Sequence, residues 1–421
     1  MSEKLSAFVS KKLNSQQHGF LKNRSTLSNL VTFEQYILDG FNDNKQTDSV
    51  YTDFSKAFDK VNHNRLIQKL REIGIGEQSL KWFQSYLTNR TQTVRIKNFL
   101  SRDIKVSSGV PQGSHLGPIL FLIFINDIIL KFKFTKALLF ADDLKLYSTV
   151  NSVIEAILFQ EDLDLLSNWC NENGMDLNLQ KCKIITFYKN KFCKFEYSLD
   201  KITNEPLERV SSIRDLGVIM DSKLDFFDHL NHVINKAKKQ LGFIKRHSKD
   251  FKNKETLRLL YMALVRPIIC YNSTIWYPIH KETMTRLERI QHKFFKFASS
   301  QLKIHRNWFD HDYTEISKIL NIPSIESVFR VYDLVYIYKM FNTFIDCNEL
   351  CSSYIKEPNH NHNTRNPNIF DLPYLSSTEL KRSPMYRPQK LANDFRNKIE
   401  FQGLLPKTFA NHAKKLLFTY E

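Results

Sequence analysis

Three acidic residues sit where the chain could carry out phosphoryl chemistry. Asp53 closes a run over 48–54 that reads as a β-strand. Asp142 and Asp143 lie between two apolar runs, Lys136 to Phe140 and Leu144 to Ser148, which read as the arms of a hairpin. If that strand and that hairpin are neighbours at the centre of one sheet, the strand's C-terminal end and the hairpin tip converge on one edge. Three carboxylates then meet. Two unit charges 4 Å apart repel by about 4 kcal/mol at an effective dielectric near 20, so such a cluster calls for protons or cations. Hard oxygen donors beside a phosphate suit Mg²⁺, typically two ions bridged by carboxylate. In that arrangement one ion activates a 3′-hydroxyl and the other holds a triphosphate and the leaving pyrophosphate. An Asp-Asp turn alone is ordinary, and so is a lone aspartate at a strand end. The two together are suggestive, and the motifs around them decide.

The elements that must position these residues follow from periodicity. Residues 25–41 read as a helix, 64–73 as a helix stopped by Gly74, and 79–87 as a short helix. Residues 91–96 and 103–107 alternate as strands across a turn. Pro118 opens a helix expected to run to about Phe132. Asn151 is the expected cap of a helix reaching about Asn173, and Lys183 to Tyr188 reads as a strand. From residue 48 the order is strand, helix, insertion, helix, hairpin, helix, strand. That is an α+β order close to a ferredoxin-like split βαβ sheet with its helices on one face. Weaker strands are expected at Phe192–Leu199 and Leu216–Met220, and 345–390 reads as irregular.

Charge gives a second lead. The 421 residues hold 61 Lys and Arg against 44 Asp and Glu, a net charge of +17. Such a bias predicts a polyanionic partner. Residues 231–300 alone carry 15 basic and 4 acidic side chains. Within them Leu230, Val233, Ile234, Ala237, Leu241 and Ile244 recur at helical spacing, with Lys236, Lys238, Lys239 and Lys245 largely on other faces. Met284, Leu287, Ile290, Phe294 and Phe295 form a second stripe. The concentration of charge suits a surface that tracks phosphates. No apolar stretch approaches the roughly 20 residues of a membrane span. Six scattered cysteines suit a reducing compartment, and the protein is expected to be intracellular, with nothing to choose between nucleus and cytoplasm.

Several segments, in order, resemble the motifs of reverse transcriptases from non-LTR retrotransposons. Tyr51-Thr52-Asp53-Phe54-Ser55-Lys56-Ala57-Phe58-Asp59 resembles their first catalytic motif. Ser108-Gly109-Val110-Pro111-Gln112-Gly113-Ser114 resembles the second, and Phe140-Ala141-Asp142-Asp143 the third. Asn178-Leu179-Gln180-Lys181 resembles the fourth, and Leu216-Gly217-Val218 a primer-grip motif. Gln17-His18-Gly19-Phe20 with Arg24-Ser25-Thr26 resembles a fingers signature. The stretch from Tyr261 to Ile290 and the tail His362-Asn363-Thr364-Arg365 resemble jockey-like elements.

The resemblance implies an RNA-directed DNA polymerase shaped as a right hand. Partial fingers would occupy 1–47. A ferredoxin-like palm would occupy 48–220, with a fingers insertion at about 74–108. A basic helical thumb would follow at 221–300 and a family tail at 301–421. Asp53, Asp142 and Asp143 would hold two Mg²⁺ ions, with Mn²⁺ a possible substitute. Phe54, Phe58, Gln112, Gly113, Lys181 and Arg24 would line the nucleotide. Phe58 would exclude a ribose 2′-hydroxyl, Lys181 would neutralise or protonate pyrophosphate, and Asp59 would support its loop. Lys236, Lys238, Lys239, Lys245 and Arg246 would contact nucleic acid. The partners implied are an RNA template, a DNA primer and dNTPs, with no membrane and no obligate protein partner. Two departures stand out: Leu21 replaces the arginine usual after Gly-Phe, and no longer fingers segment or endonuclease precedes it. The chain therefore reads as an N-terminally truncated copy. The alternative is an inactive copy that only binds nucleic acid. Cys347, Cys351, His360 and His362 offer zinc-ligand types, but their spacing fits no common finger.

Overall fold

The structure, a computed structural model, describes residues 2–190, 193–200, 205–278, 280–304, 312–358, 368–375 and 378–418. The chain packs as two units, Met1–Asn29 with Asp43–Ser212, and Leu30–Asn42 with Ile213–Glu421.

The first unit is built on a sheet. In chain order it holds α1 (Ser2–Val9), the start of α2 (Thr26–Asn42), β1 (Thr47–Thr52), α3 (His63–Glu72), α4 (Glu77–Leu87), β2 (Arg90–Gln92), β3 (Arg95–Ile96), β4 (Phe99–Leu100), β5 (Ile104–Val106), α5 (Gly117–Ile125), β6 (Lys136–Phe140), β7 (Asp143–Thr149), α6 (Val153–Asn173), β8 (Lys183–Phe187) and β9 (Glu208–Val210). Five strands lie in the order β6-β7-β1-β8-β9. All neighbours are antiparallel except β8 and β9. Val50 lies opposite both Leu146 and Ile184, and Leu146 opposite Ala137. Side chains alternate across a strand, so these four share a face. They join one core with Leu66 and Leu70 of α3, Phe121 and Phe124 of α5, and Leu163 and Trp169 of α6.

Local chemistry sets the helix ends. Asn62 caps α3 by accepting from the Arg65 amide at 3.1 Å. Ser152 and Glu155 form a capping box on α6, one residue after the expected cap, and Gly174 ends that helix in the left-handed region at φ 67°. Pro118 lies in the first turn of α5, which passes into a 3₁₀ segment at Asn126–Lys131 instead of continuing as one helix.

One expected strand does not form. Residues 193–199 run beside the sheet without a ladder, and Glu208–Val210 takes the edge instead. Side chains take up much of this backbone, the Cys193 amide donating to Gln46 Oε1 at 2.7 Å and the Ser198 amide to Gln160 Oε1 at 3.0 Å, and the Tyr197 carbonyl accepts from the Leu207 amide at 2.7 Å.

The second unit is mainly helical. It contains β10 (Ser212–Asp215) and β11 (Val218–Asp221), then α7 (Phe227–His247), α8 (Lys254–Leu264), α9 (Arg266–Cys270), α10 (Lys281–Gln301), α11 (Thr314–Leu320), α12 (Ile325–Phe341), α13 (Asn348–Tyr354), α14 (Thr378–Lys381), α15 (Tyr386–Asp394) and α16 (Pro406–Leu417). Both apolar stripes read from the sequence are buried, on α7 and α10 respectively. The stretch read as irregular holds three short helices. Arg387 on α15 grips buried Asp333 on α12 through two bonds, at 2.7 and 3.1 Å, and also donates to the Thr274 carbonyl at 2.8 Å. Among the described residues no helix is long and apolar enough to cross a membrane. His360, His362 and the His-Asn-Thr-Arg tail lie outside the described residues.

Candidate active site

Asp53 directly follows β1, the middle strand of the sheet. Thr52 is paired with Leu144, so continuing that register sets Asp53 alongside the Asp142-Asp143 turn. The backbone of Asp53 is fixed from the other side. Its carbonyl accepts from the Asn178 amide at 2.7 Å, and the Ser55 amide donates to the Asp176 carbonyl at 2.8 Å. The turn that follows brings Lys181 Nζ to 3.3 Å from Asp53 Oδ2. Behind them the Cys182 thiol is pushed up to about 11, by burial first, and stays neutral.

The hairpin tip is held by the segment read as a fingers signature. Gln17 is buried, and its Oε1 accepts from the Ala141 amide at 2.9 Å and the Gly19 amide at 2.7 Å. Its Nε2 donates to the Ala141 carbonyl at 3.3 Å. Ala141 sits in the left-handed region, φ 59°, one residue before Asp142. A Cβ on Gly19 would lie 2.3 Å from the Ala141 nitrogen, so only glycine fits there. His18 and Asn29 both donate to the Leu139 carbonyl, through the His18 amide at 2.8 Å and Asn29 Nδ2 at 3.1 Å. The His18 ring is kept neutral, its pKa lowered to about 3 by burial first and then by Arg24 and Lys145. At the hairpin's other end, fully buried Asp162 accepts from the amides of Lys133, Phe134 and Thr135 at 2.7–2.9 Å, fixing the entry to β6. The resemblance pointed to Gln17 and Gly19 without saying what they do. Asp162 carried no signal beyond being an acidic residue inside a helical pattern.

A strap crosses the loop after β1. Gly109 and Val110 donate to the carbonyls of Val61 and Phe58 at 2.8 and 2.9 Å. Gly109 has φ 85°, and a Cβ there would come within 2.7–2.9 Å of the Asp59 main chain. Gln112 Nε2 donates to Asp59 Oδ1 at 2.8 Å, so Asp59 holds this loop. Gly113 also lies in the left-handed region, φ 76°, with open space where a Cβ would be. The Phe58 ring is half-buried, stacked on Phe121 at 4.2 Å and meeting Phe20 edge-on at 6.3 Å.

Two expected nucleotide contacts are otherwise engaged. The Phe54 side chain is buried against Trp169, with centroids 6.5 Å apart, because the strand's alternation turns it into the core. Arg24 donates to the carbonyls of Ser15 and of Gln17, the latter at 2.7 Å, and so buckles its own loop. In the second unit Lys236, Lys238, Lys239 and Arg246 are exposed on α7. Lys245 is partly buried there. Burial, and then the like charge of Lys293, lower its pKa.

The donor set fits a hard divalent cation. Asp53, Asp142 and Asp143 offer only carboxylate oxygens. Burial, and to a smaller degree the charge of Asp53, raise the pKa of the Asp142 carboxyl from its ordinary value. Positive charge is therefore favoured between them, and Lys181 supplies some. Among the described residues no three His, Cys, Asp or Glu side chains are gathered closely enough to enclose an ion.

Asp53, the Asp142-Asp143 turn and Lys181 thus lie together at the end of a central strand pair. The reverse transcriptase (RNA-dependent DNA polymerase) family matches residues 1–243, more than half the chain, and the chain belongs to that family. The "Probable RNA-directed DNA polymerase from transposon BS" of Drosophila melanogaster is 28% identical over 291 residues, covering 67% of this chain and 32% of that protein. The RNA-directed DNA polymerase from mobile element jockey of the same organism is 24% identical over 304 residues, covering 69% and 32%. The chain thus spans about a third of the length of these curated relatives. Among solved structures, telomerase from Candida albicans in complex with a fragment of telomeric RNA aligns with a TM-score of 0.37 at 14% identity, covering 84% of this chain and 58% of that one. Members of the family normally use divalent metal ions.

Proposed function

We propose that the chain is an RNA-directed DNA polymerase that extends a primer 3′-end on an RNA template with deoxynucleoside triphosphates. The observation that carries this reading is the register that sets Asp53 beside the Asp142-Asp143 turn, with Gln17 fixing that turn from behind. In this reading 48–220 is the palm, 1–47 contributes to the fingers with the insertion at about 74–108, and 221–300 is the thumb. Asp53, Asp142 and Asp143 would hold two Mg²⁺ ions. When bound, these ions make the 3′-hydroxyl a better nucleophile and offset the charge that develops on the phosphates.

The remaining work falls to the chain's own side chains. Phe58, braced by its stacking on Phe121, floors the sugar site and leaves no room for a 2′-hydroxyl. Gln112, fixed by Asp59, and Gly113, with its bare Cα toward open space, border the nascent base pair. Lys181 Nζ, poised beside Asp53, carries a proton it can give to a pyrophosphate oxygen. Lys236, Lys238, Lys239, Lys245 and Arg246 bind the phosphate backbone of the template–primer duplex.

The test is primer extension on poly(rA)/oligo(dT) with Mg²⁺, with Asp142→Asn alongside. Wild type is expected to incorporate dTMP, and the variant to lose more than about 100-fold, about 2.7 kcal/mol of barrier. Salt-sensitive binding with no incorporation above the variant overturns the enzyme in favour of a non-catalytic binder.

A further inference from the structure

Between α4 and the strap, residues 90–106 form a β-ribbon. Arg90 faces Val106, Gln92 faces Ile104, Arg95 faces Leu100 and Ile96 faces Phe99, all antiparallel. The tip turns over Lys97 and Asn98, with Lys97 in the left-handed region at φ 54°. The Ser101 amide donates to the Val94 carbonyl and the Val94 amide to Ser101 Oγ, both at 2.9 Å, so the middle of the ribbon is also hydrogen-bonded. This is an ordered element, yet every residue from Thr91 to Lys105 is exposed.

Its tip is apolar. Phe99 is 79% exposed, Leu100 69% and Ile96 68%. Directly paired residues project from one face, so Ile96 and Phe99 stand together, with Leu100 and Arg95 on the reverse. Exposed apolar clusters of this kind mark interaction sites. The same 17 residues carry five Lys and Arg and one Asp. The partner that fits must present flat apolar faces flanked by negative charge. Nucleic acid does so, with base faces between phosphates. Apolar side chains on a basic ribbon can wedge between or against base pairs.

The root of the ribbon adjoins the site. Arg90 Nη2 donates to the Gly109 carbonyl at 2.7 Å, and Gly109 and Val110 are themselves bonded to the loop of Phe58 and Asp59. A wedge rooted there would meet nucleic acid at the rim of the polymerase centre.

We propose that this ribbon is a strand-separating wedge. Ile96 and Phe99 press on the end pair of a duplex arriving at the site, while the basic residues hold the phosphates of the parted strand. Primer growth drives the opening, and the ribbon fixes where the duplex ends. The proposal rests on the polymerase reading for the source of the duplex.

The experiment compares wild type with Ile96→Ser/Phe99→Ser on an open RNA template and on the same template with an annealed downstream strand. Both side chains are exposed, so the variant keeps its fold. Extension on the open template is expected within twofold of wild type, and on the blocked template at least tenfold slower. A second arm needs no turnover: 2-aminopurine in the first downstream pair should brighten when wild type binds and not when the variant binds. Equal losses on both templates, or none on either, overturn the wedge. So does equal brightening by the two proteins, or loss of self-association alone in gel filtration, which would assign the tip to a second copy of the chain. If wild type brightens the probe but extends neither template, the polymerase reading fails and the wedge stands.

Discussion

Replacing Gln17 by alanine removes the amide that joins the N-terminal segment to the turn carrying Asp142. Three hydrogen bonds go with it, at 2.7, 2.9 and 3.3 Å, all in a buried setting. The Gly19 and Ala141 amides lose their acceptor. A buried donor left unsatisfied costs about 1–3 kcal/mol, so the pair amounts to about 2–6 kcal/mol. Water entering the space left by the side chain lowers that figure toward its lower bound. The cost falls on local order around Ala141, because the β6–β7 ladder itself is untouched. Hydrogen exchange is the direct assay. In wild type the Ala141 amide should exchange slowly, and in Gln17→Ala its protection should fall by about 2 kcal/mol or more, roughly 30-fold. Primer extension should fall with it, by about 10- to 100-fold, since displacement of a reacting group by about 1 Å costs on that order. Unchanged protection at Ala141 together with unchanged extension would refute the idea that this segment positions the site. Lost protection with full activity would show that the turn need not be rigid.

Three further outcomes are expected. Arg387→Ala strands the Asp333 carboxylate, which is 1% exposed, and should destabilise the second unit by about 3–5 kcal/mol in urea unfolding, whereas Arg387→Met with Asp333→Leu should recover much of the loss. His229 is held neutral, its pKa lowered to about 4 by burial first and then by His232 and Arg214. The unfolded chain takes its proton near pH 6.5, so this contribution is complete above about 6.5 and is lost as pH falls toward 4, about 3 kcal/mol in all. His229→Gln should therefore flatten the stability–pH curve in that window by up to one proton, and an unaltered slope would remove His229 from the account. Neutralising Lys236, Lys238 and Lys239, all exposed on α7, should weaken RNA–DNA binding and reduce the salt slope by up to about 2–3, as measured by titration at several salt concentrations; an unchanged slope would place the duplex elsewhere.

What was legible in the sequence shares a cause with what was not. Asp53 and Asp142 could be placed because strand and hairpin signals are local: alternation, an apolar run, a polar tip. The two buried stripes on α7 and α10 were legible for the same reason. Of the strand expected at Phe192–Leu199, the described residues 193–199 form no ladder: the side chains of Gln46 and Gln160 take the Cys193 and Ser198 amides, partners that no local pattern announces. Phe54 was read from its neighbourhood in a motif, whereas its side chain follows the strand's alternation into the core. Arg24 is expected at the triphosphate, and its Nη1 is used by carbonyls nine and seven residues away, a contact that no local pattern announces.

The same distinction explains how the site is built. Carboxylates that repel one another cannot hold their own arrangement, so the restraint has to come from residues that carry no charge to the reaction. Gln17 and Gly19 reach the hairpin from 124 and 122 residues away, Asp162 pins its entry, and Gly109 lets a strap lie flat on Asp59. The groups proposed to do chemistry stand at strand ends, where sequence is informative. The groups that aim them act through long-range hydrogen bonds and close backbone approaches, which appear only once the chain is folded. A variant that keeps all three aspartates can therefore still be inactive, and the hydrogen-exchange state of Ala141 separates loss of positioning from loss of the carboxylates themselves.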